Sequence, residues 1–96
     1  MNIDVLLKAH RDEILAIATR HGATNVRVFG SVVRGEAGPD SDVDFLVDLE
    51  DGRSLLDLAK LLVDLEQLLN RRVDVVTEKG LRPHAKAPIL REAVAL

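Results

Sequence analysis

Two short β-branched runs, 42–49 and 72–77, flank a leucine-rich stretch that starts at a helix cap. This strand–helix–strand order constrains the fold more than any other feature of the chain. Ser54 with Asp57 three residues later is a capping-box pattern. Leu55, Leu58, Leu62, Leu65 and Leu69 then recur as the buried stripe of a helix from Ser54 to Leu69. Leu56, Leu61 and Leu68 widen the apolar arc enough for part of it to be buried against another chain. In a strand, residues i and i+2 share a face. Val43, Phe45, Val47 and Leu49 therefore point into a core, with Asp42 and Asp44 on the opposite side. In the second run Val73 and Val75 face one way, Asp74 and Val76 the other. The helix between the runs is long enough for a parallel crossover, and strand direction stays open. In either case one face carries Val43, Phe45, Val73 and Val75, and the other carries Asp42, Asp44 and Asp74.

The remaining segments fit around this unit. Ile3 to His21 reads as an amphipathic helix through Ile3, Leu6, Leu7, Ile14, Ile17 and Ala18, with Gly22 as its stop. Val26 to Phe29 is a short strand that ends at Gly30-Ser31. Ser31 to Gly35 makes a helical turn, and Glu36 to Ser41, with Gly38-Pro39, is a loop. Pro83 interrupts the stretch from Glu78 to Ala87, and Pro88 to Val94 forms a last short helix with proline in its first turn. Residues 1–96 are read as one domain. A chain this short buries only roughly 60–65% of its unfolded surface.

Composition excludes several classes. The net charge of −3 and the absence of Trp and Tyr argue against a dedicated duplex or single-strand binder. No apolar run approaches membrane-spanning length, and the N-terminus lacks a signal-peptide pattern. Without cysteine there are neither disulfides nor thiolate metal sites, which fits a cytoplasmic protein. His10, His21 and His84 share no metal-ligand spacing. His10 and His21 are expected at the edges of the first helix and His84 in a loop.

The chemistry concentrates on the acidic face. Like charges held side by side are costly unless a cation or proton compensates them. Mg²⁺ is a hard ion that takes carboxylate and phosphate oxygens together. Three carboxylates from neighbouring strands can hold one or two such ions, and two ions clamp the attacking and leaving oxygens of a phosphoryl displacement. Asp42 and Asp44 would bridge the ions and the nucleotide phosphates, and Asp74 would hold the ion nearer the acceptor. Gly30 lets the backbone approach a phosphate, Ser31 offers a hydroxyl and an N–H, and Arg34 can reach the same triphosphate. Asp42 and Asp44 alone read equally well as a solvated strand face. Adding Gly30, Ser31, Arg34 and Asp74 turns the reading toward nucleotidyl transfer. Asp48 is expected to be solvent-exposed, Ser41 to shape a turn, and Arg71 and Arg72 to close the preceding helix against its dipole.

Gly30-Ser31-x-x-Arg34-Gly35, Ser41-Asp42-x-Asp44 and Asp74 in Val-Asp-Val-Val together resemble the minimal nucleotidyltransferase family. This is the reduced branch of the DNA polymerase β-like superfamily, and the likeness covers nearly the whole chain. The resemblance implies an α/β (α+β) fold with a mixed β-sheet and helices on one face. It also implies Mg²⁺ dependence, with two ions or with Mn²⁺ in their place, and ATP as substrate. Many members are antitoxins encoded beside a helical HEPN ribonuclease toxin, and some transfer AMP to a tyrosine of that toxin. Catalytic and metal roles then fall to Asp42, Asp44 and Asp74, and nucleotide binding to Gly30, Ser31 and Arg34. Larger relatives carry a helical acceptor domain. A chain ending at Leu96 is expected to obtain that pocket from a partner, and a homodimer is compatible with this. The leading expectation is AMP transfer to a toxin hydroxyl. The alternatives are an antitoxin that acts by occlusion alone, or a subunit of an aminoglycoside-type nucleotidyltransferase.

Overall fold

The computed structural model describes residues 3–38 and 40–96; Pro39 and the side chain of Ile3 lie outside the described residues. Helices α1 (Ile3–Ala9) and α2 (Arg11–Arg20) lead into strand β1 (Ala23–Phe29) and a short helix α3 (Ser31–Arg34). Strand β2 (Val43–Leu49), helix α4 (Leu55–Leu69) and strand β3 (Val73–Thr77) follow, then helix α5 (Pro83–Glu92) and strand β4 (Val94–Ala95). The sheet order is β3-β2-β1-β4. Strand β2 runs parallel to β3 and antiparallel to β1, and β1 is antiparallel to β4, so the sheet is mixed. The crossover through α4 is therefore the parallel one.

The main core lies between one sheet face and α1, α2 and α4. Val28, Val43, Phe45, Val47, Val73 and Val75 meet Leu7, Ile14, Ala18, Leu61, Leu65 and Leu69 there. Leu49 packs against its edge, as the alternation requires. Phe29 and Leu46 are also buried but stand outside this cluster. In register, Leu46 lies between Arg27 and Val76, and Phe29 lies beside Asp44, so both belong to the acidic face. Helix α5 joins β3 at one edge to β4 beyond β1. Its Lys86 shares a cleft with Asp48 at one end of the sheet.

Several elements differ from expectation for local reasons. The first helix is broken at His10, whose φ and ψ are −107° and 13°. The polar run His10-Arg11-Asp12-Glu13 has no large apolar side chain to hold a straight helix against the core, and His10 Nδ1 engages Glu13 at 3.0 Å instead. Gly22 ends α2 as expected, with φ +75° and its N–H donating to Thr19 O at 3.1 Å. The cap of α4 forms: Ser54 Oγ accepts from Leu56 N–H at 3.2 Å and Asp57 accepts from Ser54 N–H at 2.9 Å. The buried stripe of α4 keeps Leu65 and Leu69 as expected but takes Leu61 in place of Leu62. Leu61, Leu65 and Leu69 are buried, Leu58, Leu62 and Leu68 partly so, and Leu55 stays 82% exposed. The first turn is fixed by its cap and not by packing.

Pro83 starts a helix instead of interrupting one, because at the first position its missing N–H costs nothing. Pro88 lies inside α5, and His84 is carried on that helix and not in a loop. Strand β4 was not expected. Arg71 and Arg72 do not close α4. Arg71 Nη2 donates to Gly38 O at 2.8 Å and Ser41 O at 3.2 Å, and Arg72 Nη2 donates to Asp40 O at 3.4 Å, so both tie down the loop before β2. Asn70 ends α4 in the left-handed conformation, with its N–H bonded to Glu66 O at 2.8 Å.

Candidate functional site

The site is built where β1, β2 and β3 lie side by side. Asp44 and Asp74 are register partners on the parallel pair, and Phe29 is the partner of Asp44 on the antiparallel side. Adjacent strands stand about 4.8 Å apart, so the pairing places the two carboxylates next to each other. Asp42 precedes the first residue of β2, where Val43 N–H donates to Arg72 O at 3.0 Å and opens the β2–β3 ladder.

Asp44 bears the electrostatic load of this arrangement. Burial, then the charge of Asp74 and that of Asp42, push its carboxyl up to about 6 from an ordinary 3.8. Arg34 opposes that rise and Glu92 adds to it. Four ionisable side chains from four parts of the chain thus act on one carboxylate. Asp42 is engaged by Arg72, with Nε 3.2 Å from Oδ1 across an exposed pair.

Gly30 sits against Asp44. A Cβ at this position would run into Asp44 Oδ2 and stand 3.2 Å from its Cγ. With φ 83° and ψ −152°, Gly30 also occupies a backbone region essentially reserved for glycine. Steric room and backbone conformation independently require glycine here. The turn it makes delivers Ser31 to the start of α3, with Val33 and Arg34 N–H bonded back to Gly30 O at 3.1 and 3.2 Å. Arg34, at the end of α3, places Nη1 2.6 Å from Glu92 Oε1 and Nε 3.3 Å from Glu36 Oε2.

The structure therefore brings Asp44, Asp74, Gly30 and Arg34 into one neighbourhood and sets Asp42 at its edge. Among the described residues, no three His, Cys, Asp or Glu side chains form a group gathered tightly enough to hold a metal ion. The donor chemistry of the three aspartates nevertheless fits a hard divalent cation. The elevated Asp44 carboxyl records burial first and then the repulsion from Asp74 and Asp42, and a cation would relieve the repulsion.

Ser41 Oγ accepts from Gly38 N–H at 2.8 Å and shapes the turn, as expected. Asp48 is about half exposed, as expected, and it also accepts from Arg27 and from Asn25, each at 3.1 Å, as a structural partner. Sequence reasoning missed Glu92. Its signal was weak but physical, because an acidic residue in the last turn of a helix opposes the macrodipole and calls for a cationic partner. A cleft of about 690 Å³ lies at the far end of β2 and β3, lined by Asp48, Arg53, Thr77, Glu78 and Lys86, not by the acidic site.

Comparison with known proteins bears on the family and the fold. The nucleotidyltransferase domain family matches residues 9–96. A protein of Thermococcus cleftensis named protein adenylyltransferase MntA is 46% identical over 96% of this chain and 90% of its own length. A Methanocaldococcus jannaschii protein carrying the protein adenylyltransferase name is 40% identical over 98% of this chain and 97% of its own. A solved structure described as a minimal nucleotidyltransferase superposes with a TM-score of 0.88 at 53% identity, covering 100% of this chain and 97% of that one. A toxin–antitoxin structure with AMP-PNP shares the fold, with a TM-score of 0.76 at 19% identity over 88% of this chain and 69% of that one.

Proposed function

We propose, from the premise that the chain belongs to the nucleotidyltransferase domain family and is a nucleotidyltransferase, that it transfers AMP from ATP to a hydroxyl of a partner toxin and thereby acts as its antitoxin. The observation that carries this reading is the crowding at Asp44. A half-buried carboxylate flanked by Asp74 and Asp42 is an expensive arrangement, and it suits a site that works only when cationic charge is delivered with the substrate. Asp42, Asp44 and Asp74 would hold Mg²⁺, which supplies charge neutralisation at the phosphates and lowers the pKa of the attacking hydroxyl.

The chain's own groups divide the remaining work. Gly30 keeps the wall beside Asp44 free of side-chain atoms, so a phosphate can approach the backbone. Ser31, at the start of α3, offers its hydroxyl and N–H to the same phosphates. Arg34 supplies charge-assisted bonds to the triphosphate. The names of the relatives support a protein acceptor, and the solved toxin–antitoxin structures with this fold support a toxin in that role. The acceptor residue is a tyrosine and the toxin a HEPN-type protein in this reading. The exposed apolar side chains Leu55, Leu56 and Val63 on α4 offer a surface on which such a partner can be held. The reaction belongs in the cytoplasm, where ATP and the toxin meet.

The test is direct. The chain is incubated with Mg²⁺, ATP and the toxin encoded beside it, and intact mass is measured. The toxin should gain the mass of AMP, and Asp42→Asn should abolish the gain while circular dichroism stays unchanged. A toxin neutralised in full by Asp42→Asn, with no mass added by the wild type, would establish neutralisation by binding alone.

A further inference from the structure

We propose that Glu92 is a positioning residue that clamps Arg34 so that one edge of its guanidinium stays presented to the nucleotide phosphates; this inference rests on the nucleotidyl-transfer reading. A guanidinium carries five N–H donors in a rigid plane. In this structure Nε donates to Glu36 at 3.3 Å and Nη1 donates to Glu92 at 2.6 Å, while Nη2 carries none of the bonds among the described residues. Two carboxylates, one on Nε and one on Nη1, fix the orientation of the plane and leave the Nη2 donors available.

The two carboxylates differ in what holds them. Glu36 is two residues from Arg34, and its side chain is 63% exposed. Glu92 arrives from 58 residues away, and its side chain is 21% exposed. The distant partner is thus the shorter contact and the better shielded one. It also occupies the last position of α5, where the helix dipole disfavours an acid. Glu92 stands there against local preference, and Arg34 is the cation that compensates it.

The position of the clamp also matters. Arg34 N–H is bonded to Gly30 O at 3.2 Å, and Gly30 sits against Asp44, so the pair borders the acidic site. Arg34 held by carboxylates attracts a triphosphate less by net charge than a free arginine would. What the clamp gains is geometry, since a charged hydrogen bond is strong only when its donor is aimed. An alternative in which Glu92 merely masks Arg34 makes the opposite prediction for nucleotide affinity.

Binding of MgATP and of adenosine to the full chain is measured by calorimetry for the wild type and for Glu92→Ala, Glu92→Asp, Glu92→Gln, Arg34→Ala and the Arg34→Ala/Glu92→Ala double variant. Glu92→Ala should weaken MgATP by roughly tenfold, the scale of one well-aimed charged bond, and leave adenosine unchanged. Glu92→Asp keeps the charge but withdraws it by one methylene, and should lose affinity too. Glu92→Gln still accepts from Nη1 and should stay within about threefold of wild type. The double variant should match Arg34→Ala alone, because partners in one interaction are not additive. Tighter or unchanged MgATP binding in Glu92→Ala, losses that multiply in the double variant, or an equal loss for adenosine would each overturn the proposal. If Glu92→Ala does not fold, the Asp and Gln variants decide it alone, with equal affinity for both overturning it. A wild type that fails to bind MgATP removes the nucleotidyl-transfer reading itself, whereas a wild type that binds alongside indifferent Glu92 variants removes only the clamp.

Discussion

Asp44 and Asp48 lie on the same face of the same strand, about 13 Å apart along it, yet their surroundings are opposite. Asp48 accepts from Arg27, whose side chain is 14% exposed, and from Asn25, and it borders the large cleft at the far end of the sheet. Asp44 does not line that cleft. Among the described residues it feels the charges of Asp74, Asp42 and Glu92, and Arg34 opposes them. A folded chain gains by pairing its carboxylates, as at Asp48. A carboxylate packed among others costs stability, and its retention calls for a second reason. The difference separates a residue that holds the sheet together from one that, under the proposed function, awaits a ligand.

The strongest way to break this contrast is to neutralise each aspartate in turn. Asp44→Asn should reduce transfer by ~10²–10³ or more, the range for loss of one electrostatic stabiliser, while the metal-free protein becomes more stable at neutral pH. Asp48→Asn should do the reverse, leaving turnover near wild type and costing about 1 kcal/mol as the bond to Arg27 weakens. The pH profile sharpens the same point. Between the ordinary carboxyl value of 3.8 and the folded value of about 6, the folded chain binds a proton at Asp44 that the unfolded chain has lost. Stability from this group is therefore complete below the lower value and falls as pH rises through the upper one. After allowance for solvent screening the loss is on the order of 1–2 kcal/mol. Denaturant melts from pH 4 to 7 without metal should show that fall in the wild type and not in Asp44→Asn. Equal profiles would show that Asp44 is not strained.

A smaller but still severe effect is expected at the wall of the site. Gly30→Ala forces a side chain into a glycine-only backbone region and against Asp44 Oδ2. The backbone strain alone costs about 1–3 kcal/mol, and the clash moves the carboxylate. Thermal unfolding should record the loss. In a Gly30→Ala/Asp44→Ala variant, where the clash is gone, part of it should return. No recovery would place the whole cost in the backbone and detach Gly30 from Asp44.

How far these features could be read from sequence follows from the range of the forces involved. Strand alternation, the Ser54 cap and the Gly30-Ser31 turn are local, so the sheet faces, α4 and α3 were legible. The place of Leu61 in the buried stripe of α4, beside Leu65 and Leu69, was not, because leucine is so frequent there that several stripes fit the helical period. Pro83 was ambiguous for a similar reason, since proline both ends and begins helices. Arg72 and Glu92 were misread or missed because their partners, Asp42 and Arg34, are reached only through the tertiary fold. Asp44 and Asp74 were placed on one face by period alone, but their direct pairing needed the parallel register.

The smallest expected effect concerns a third aspartate, intermediate between the other two. Asp42 has an arginine, as Asp48 does, and the two carboxylates are about equally exposed, but Arg72 is 76% exposed where Arg27 is 14% exposed. An exposed pair of this kind contributes about 0–1 kcal/mol and is screened by salt. Arg72→Ala should therefore lower stability by no more than about 0.5 kcal/mol, a bound that includes its bond to Asp40 O. Its effect on ion binding should have the opposite sign. With Arg72 gone, Asp42 no longer trades one cation for another when a metal arrives, and Mn²⁺ followed by electron paramagnetic resonance should bind about two- to fivefold tighter, the equivalent of that surface pair. The gain should shrink as salt rises, because salt already weakens the competing pair in the wild type. Weaker Mn²⁺ binding in Arg72→Ala would mean that Arg72 orients Asp42 and does not compete for it. Asp42 would then belong with Asp48, held by its arginine for good, and not with Asp44.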